Sequence, residues 1–278
     1  MNINLKFLLG GMTACLIPQY TAAQCVVTDC LQLGYTSLQK CDNGLKCPFG
    51  EYWACPKTEE KAVLGQCTGY AKNCKIGDIL NSDGTCTAGK NDEKKPIGIV
   101  VYINPEGCGQ VLSAQSVEAG GYRQGTSWRP GNLWYSNEMP VGYKSNVSTA
   151  KADFDSCGNT RKIIEADNSL TYPAAWRAHL YAPQTAPETR GKWCLPAAGI
   201  LQQIKDNNEK INEVLSLIGG ENLNYLWSST QKDTFEVWIY PNSSSFPGIT
   251  AAGTDGSWIS SHQGDRTGSI FVRPVIEF

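Results

Sequence analysis

The chain has 278 residues, 18% of them charged and 41% hydrophobic, with 12 Cys against 2 His and a formal net charge of −2. A near-neutral chain without a Lys/Arg block lacks the electrostatic footprint of a nucleic-acid binder. Without sustained heptads or an apolar run of about 18 residues, it is neither a coiled coil nor a chain with an ordinary membrane-spanning helix. Twelve cysteines argue against the reduced cytosol and for an oxidising compartment.

Residues 1–6 give a short, weakly basic start, residues 7–17 an apolar run too short to span a bilayer, and Thr21-Ala22-Ala23 a small-residue cleavage site. Segment 1–23 therefore reads as a secretory signal peptide, with Gln24 first in the mature chain. Gly10, Gly11 and Pro18 weaken the competing reading of a buried N-terminal helix. Met12-Thr13-Ala14-Cys15 also resembles a bacterial lipoprotein processing box, which would put a lipid anchor on Cys15. Loss of 1–23 removes Lys6 and no acid, so the net charge moves from −2 to −3.

Residues 24–86 read as a small cysteine-rich domain. Cys25, Cys30, Cys41, Cys47, Cys55, Cys67, Cys74 and Cys86 fall within 62 residues that hold only thirteen Val, Leu, Ile, Phe or Trp. So few apolar side chains cannot close a core, and disulfides are expected to substitute for burial. Eight thiols allow 105 pairings, so the connectivity stays open. The segment has no Cys-x-x-Cys and no His, the close ligand pairs that zinc sites use, and no metal is assigned. Asp42-Asn43-Gly44, Cys47-Pro48 and Asp83-Gly84 interleave turn signals with the cysteines. Residues 87–95 are polar and charged and read as a linker.

The large domain is expected over 96–278. It opens on Ile97-Gly98-Ile99-Val100-Val101-Tyr102-Ile103, apolar on both faces and so a buried strand. Residues 109–183 read as long irregular structure pinned by Trp128, Trp134 and Trp176, because 142–170 keep neither a helical nor a strand period. Over 196–218, Ile200, Leu201 and Ile204 precede Ile211, Val214, Leu215 and Ile218. That pattern predicts two short helices, broken at Asp206-Asn207-Asn208 and stopped by Gly219-Gly220. Strands follow at 225–230, 235–240 and 270–278, with Trp193, Trp227 and Trp238 as core and the C-terminal strand tied into the sheet.

The order of Pro96-Ile97-Gly98-Ile99-Val100-Val101-Tyr102 with Gly109-Gln110, then Trp193-Cys194-Leu195-Pro196, Leu226-Trp227-Ser228-Ser229-Thr230, Trp238 and Val272-Arg273-Pro274-Val275 resembles a bacterial domain family. It is that of the C-terminal domain of the Legionella collagen-like adhesin, a domain of unknown function. The resemblance covers about residues 75–278. It implies an α+β, C-type-lectin-like compact domain with a small twisted antiparallel sheet, two short helices and long binding loops. The family's common Trp-Arg-Leu-Pro has Cys194 here in place of Arg, so no role of that Arg carries over.

Relatives of that fold include a copper-dependent oxidase with two active-site thiols, which brings Cys108, Cys157 and Cys194 under consideration. Only Cys157, in Asp155-Ser156-Cys157-Gly158, looks loop-borne. A disulfide is expected for two of the three, leaving one of eleven mature cysteines odd. Ser261-His262 with Asp265 lacks the strand-turn-helix context of a hydrolase nucleophile, and Asp255 and Asp265 are too few for calcium. No catalytic residue and no cofactor are assigned. The stretch 241–269, rich in Ser, Gly and Thr, carries Trp258, His262, Asp265 and Arg266, which are the candidate ligand-binding residues. The expected protein is secreted or at the bacterial surface or in the periplasm. It is non-catalytic and binds a glycan or a surface protein; the alternatives are a subunit of a cell-surface fibre and an extracellular modifying enzyme.

Overall fold

The computed structural model describes residues 61–117, 128–129, 141–166, 171–223, 225–233, 236–240, 259–262 and 270–278, with three short strands nearer the N-terminus. Two compact units result, Met1–Glu60 and Lys61–Phe278. In the first, β1 (Tyr35–Ser37), β2 (Leu45–Lys46) and β3 (Trp53–Pro56) form an antiparallel sheet in the order β1-β3-β2.

The second unit begins well before the expected boundary. β4 (Ile79–Asn81) and β5 (Cys86–Thr87) are joined by a tight turn in which Gly84 takes a φ of 80°. β4 then pairs with β6 (Pro96–Ile103), Ile79 facing Ile99 and Leu80 facing Gly98. Residues 61–86 thus belong to the large domain, and 88–95 form a connection within it. The cysteine density hid this, because Ile79, Leu80 and Asn81 are all buried as an inner strand requires.

β6 turns back through Asn104 and Gly107, whose φ is 89°, into β7 (Gly109–Ser113). The described residues of the stretch read as irregular contain three α-helices: α1 (Val147–Lys151), capped by the Asn146 side chain, α2 (Ser156–Ala166) and α3 (Pro173–Leu180). α2 escapes an apolar-period search because its inner face is Ser156, Asn159, Thr160 and Ile163, at helical spacing but mostly polar. α3 buries Ala174, Ala175 and Ala178. Trp128 is buried, with its indole N–H donating to Ser228 O at 2.9 Å, and Trp134 lies outside the described residues.

β8 (Trp193–Cys194) leads to the two helices expected from the sequence, α4 (Ala198–Asp206) and α5 (Asn208–Leu217), which break at Asn207. Gly219, with a φ of 71°, ends α5 while the Gly220 amide returns to Leu215 O. β9 (Tyr225–Gln231), β10 (Glu236–Tyr240) and β11 (Ile259–His262) follow. The expected strand over 270–278 is two strands, β12 (Ile270–Phe271) and β13 (Val275–Glu277). The chain changes sheets at Val272-Arg273-Pro274, where Pro274 has no amide to give a ladder.

Among the described residues of this unit there are therefore two sheets and five α-helices, an α+β fold larger than one small sheet with two helices. The six-stranded sheet, β5-β4-β6-β7-β13-β8, is antiparallel throughout; in the four-stranded sheet, β11-β10-β9-β12, β12 runs parallel to β9. Ile79, Ile99, Val101, Leu112 and Val275 pack under α4 and α5, a core that also takes Leu226 and Trp238. Trp227, Val237 and Ile239 face α2 and α3 in a second core. The outer face of the six-stranded sheet carries a third, built on Val100, Val111, Trp193 and Ile276. The expected core positions of Trp193, Trp227 and Trp238 match the structure, as does the tied C-terminal strand: Phe278 and Gly109 exchange both main-chain bonds.

Candidate functional site

The candidate recognition stretch lies between β10 and β12. β10 gives it a rigid base: Val237 and Ile239 enter one core and Trp238 another, with the Trp238 indole donating to Lys144 O at 2.7 Å and Lys232 Nζ 5.7 Å from its ring centre. Lys232 also pairs with Glu236. β11 runs antiparallel to β10, so His262 stands opposite Glu236 and Ile259 opposite Ile239. The structure thus places His262 on the outer strand of the four, at the register position of an acidic residue. Trp258, Asp265 and Arg266 lie outside the described residues.

Six cysteines are joined: Cys67 to Cys108, Cys74 to Cys86 and Cys157 to Cys194. Cys157 sits in the first turn of α2 rather than in a loop, and its bond to Cys194 ties that helix to β8. Cys108 reaches back in sequence to Cys67, so all three of these cysteines are paired where two were expected to be. None of the three is a reactive thiol while so paired. The side chains of Cys15, Cys25, Cys30, Cys41, Cys47 and Cys55 lie outside the described residues.

Two polar constellations went unassigned at the sequence level. In the first, the buried Asp153 carboxylate accepts from Thr230 Oγ1 at 2.7 Å, Asn159 Nδ2 at 2.9 Å and its near neighbour's amide, Asp155 N, at 3.3 Å. Thr230 Oγ1 also accepts the Ala198 amide, and Ser156 Oγ accepts the Ala197 amide while donating to Gln110. α4 has no side-chain cap of its own at Ala197, so these groups from α2 and β9 satisfy its first amides. In the second, Arg273, wholly buried, donates to Ser113 O, Glu221 O and Ala114 O at 2.9, 2.7 and 2.6 Å, with a longer contact to Asn222 O.

Burial pulls the Arg273 guanidinium down to about 10 and pushes the neighbouring Tyr181 phenol up to about 12. Burial, then Asp155, raises Glu277 above the ordinary carboxylate range. Asp83 goes the other way: burial pushes it up, but Lys94 and the hydroxyl and amide of Thr85 outweigh that and hold it at about 2. Arg273 alone had a legible signal, a single cation inside an apolar terminal run. Asp153 had none, since its side-chain partners are 6 and 77 residues away. Among the described residues, no group of three His, Cys, Asp or Glu is placed to hold a metal ion, and no helix is long and apolar enough to cross a membrane.

No protein-family model matches the chain, and no curated protein matches it. Among solved structures, it is similar to the crystal structure of a fimbrial protein from Bacteroides ovatus ATCC 8483, at 20% identity and a TM-score of 0.48 over 74% of this chain. The match takes in 49% of that protein, so the chain spans about half its length. A likeness of this degree says nothing about activity.

Proposed function

We propose that this chain is a secreted bacterial surface protein with a structural role, a disulfide-braced subunit of an extracellular assembly. One observation carries that reading: the buried polar side chains best suited to chemistry serve the fold. Ser156 and Thr230 accept the first amides of α4, Asp153 accepts from Thr230, and Arg273 holds four carbonyls together at the sheet change. Three disulfides brace the same unit, as suits a protein exposed to an oxidising exterior. The protein is non-catalytic, and its N-terminal segment directs export, with or without a lipid on Cys15. Light scattering and negative-stain microscopy of the purified mature chain test this. Multimers that grow with concentration are expected, and a monomer at every concentration would refute the structural role. Mass spectrometry of the same material reads the mature N-terminus and any lipid.

A second reading is favoured by the base of the 241–269 stretch, where β10 is buried through Val237, Trp238 and Ile239. A strand so fixed suits the presentation of Trp258, His262, Asp265 and Arg266 to a glycan or a surface protein, as in a C-type-lectin-like domain of the adhesin family that the sequence resembles. A glycan array with wild type and Trp258→Ala separates the two. Binding that the substitution abolishes supports recognition, and no binding by the wild type removes it.

A further inference from the structure

Residues 62–74 run across the outer face of the six-stranded sheet as a strap, over a core that includes Val100, Val111, Trp193 and Ile276. The strap gives that core little of its own: Leu64 is its large buried aliphatic, beside Ala62, Ala71 and a half-buried Tyr70, while Val63 is exposed. Main-chain bonds run from the amides of Ala62, Gly65 and Ala71 to the carbonyls of Gly84, Glu277 and Gly107. Two disulfides then pin it, Cys67 to Cys108 beside the β6–β7 turn and Cys74 to Cys86 on the edge strand β5. Neither bridge links two strands of the sheet to each other.

The seat is shaped by missing side chains. A Cβ on Gly84 would lie 2.4 Å from Ala62 O, one on Gly107 2.6 Å from Gly69 O, and one on Gly109 2.9 Å from the Ala71 Cβ. The strap therefore fits closely against backbone, a contact that holds well when tethered and carries little apolar burial when it is not. The remainder of the domain has independent support. α4 and α5 cover the opposite face of the sheet, α2 and α3 cover the second sheet, and Cys157–Cys194 lies away from the strap.

We propose that residues 62–74 are a redox-latched strap, which a dithiol reductant releases as one unit, uncovering the outer apolar face of the six-stranded sheet while the rest of the domain stays folded. Each bridge takes two electrons and two protons and becomes two thiols, as the dithiol closes to its own disulfide. Both bridges must open, because either one alone keeps part of a short segment at the sheet, where loop closure is cheap. An opened face of this kind associates with other apolar surface. The device acts by local opening, in which a segment with few buried contacts detaches below the cost of global unfolding.

Hydrogen exchange read by mass spectrometry on the full chain tests it. Three samples are compared: oxidised wild type, wild type treated with dithiothreitol, and the quadruple variant Cys67→Ser, Cys74→Ser, Cys86→Ser, Cys108→Ser, which keeps Cys157–Cys194. In the last two, amides of 62–74 are expected to exchange at least ~10-fold faster, with α4, α5 and β9 unchanged, and trypsin to cut after Lys72. The variant Cys157→Ser, Cys194→Ser is expected to keep the strap protected. Unchanged protection of 62–74 without its bridges overturns the proposal. So does loss of protection across the whole domain in the treated wild type, whether or not the quadruple variant folds.

Discussion

Replacing Arg273 by Met tests how much of the fold hangs on one buried cation. Methionine keeps most of the apolar stem but removes every donor to Ser113, Ala114, Glu221 and Asn222. Ala114 O retains a bond from the Glu221 amide, so the loss there is partial. Three short charge-assisted bonds are worth ~1.5–3 kcal/mol each, or roughly 4–9 kcal/mol gross. Removing a desolvated cation returns several kcal/mol, which leaves a net loss of ~2–4 kcal/mol. For a unit of about 220 residues that lowers Tm by roughly 5–15 °C. Urea unfolding with disulfides intact, followed by far-UV circular dichroism and Trp fluorescence, reads the loss as a lower midpoint at unchanged m. Arg273→Lys keeps the charge without the planar fork and falls between the two. A Met variant within ~0.5 kcal/mol of wild type, the range of ordinary surface substitutions, would show that the four carbonyls find other donors.

Thr230→Val keeps shape while taking a donor from Asp153 and an acceptor from the Ala198 amide, and is expected to cost ~2–4 kcal/mol in the same urea assay. Gly98→Ala sets a Cβ 2.1 Å from Leu112 O, on the backbone of the neighbouring strand, and is expected to cost ~3 kcal/mol or more. Gly89→Ala meets nothing within 4 Å and stays within ~0.5 kcal/mol. Glu277→Gln addresses pH. A carboxyl raised on folding holds its proton more tightly in the native state, so its stabilising contribution is present below the ordinary Glu range and disappears as pH rises through the raised value. The Gln variant is therefore expected to be more stable than wild type at pH 7 and equal to it at pH 3. Coincident midpoints at pH 7 would count against burial and Asp155 as the cause.

What the sequence discloses follows from where apolar side chains carry the pattern. β6 is apolar on both faces and α4 and α5 are periodic in Ile, Leu and Val, and each stands where its period puts it. α2 is invisible to the same test because Ser156, Asn159 and Thr160 line its buried face, and their partners on β7, just after β8 and on β9 are known only after folding. The change of sheet at Arg273 was within reach, since Pro274 interrupts an otherwise uniform apolar run. The boundary before residue 61 was not, because β4 and β5 lie among cysteines whose density suggested a separate knot. At the candidate site, the framing strand β10 was legible from its alternation. The buried role of Asp153 was not, because nothing local distinguishes a carboxylate that holds a distant helix-capping hydroxyl from one in solvent.

The change of sheet at 272–274 also governs when the domain can form. β12 completes one sheet and β13 lies between β7 and β8 in the other, so both await the same nine residues. A chain delivered from its N-terminus can make the β4–β6–β7 hairpins early, and with them Cys67–Cys108. β8, whose ladder partner is β13, has no strand to join until then. Cys194 therefore meets Cys157 without a finished sheet to fix it, and closure waits on contacts of long sequence separation, which form slowly. The segment 270–278 thus sets the order in which the thiols are brought together, Cys67 to Cys108 before Cys157 to Cys194.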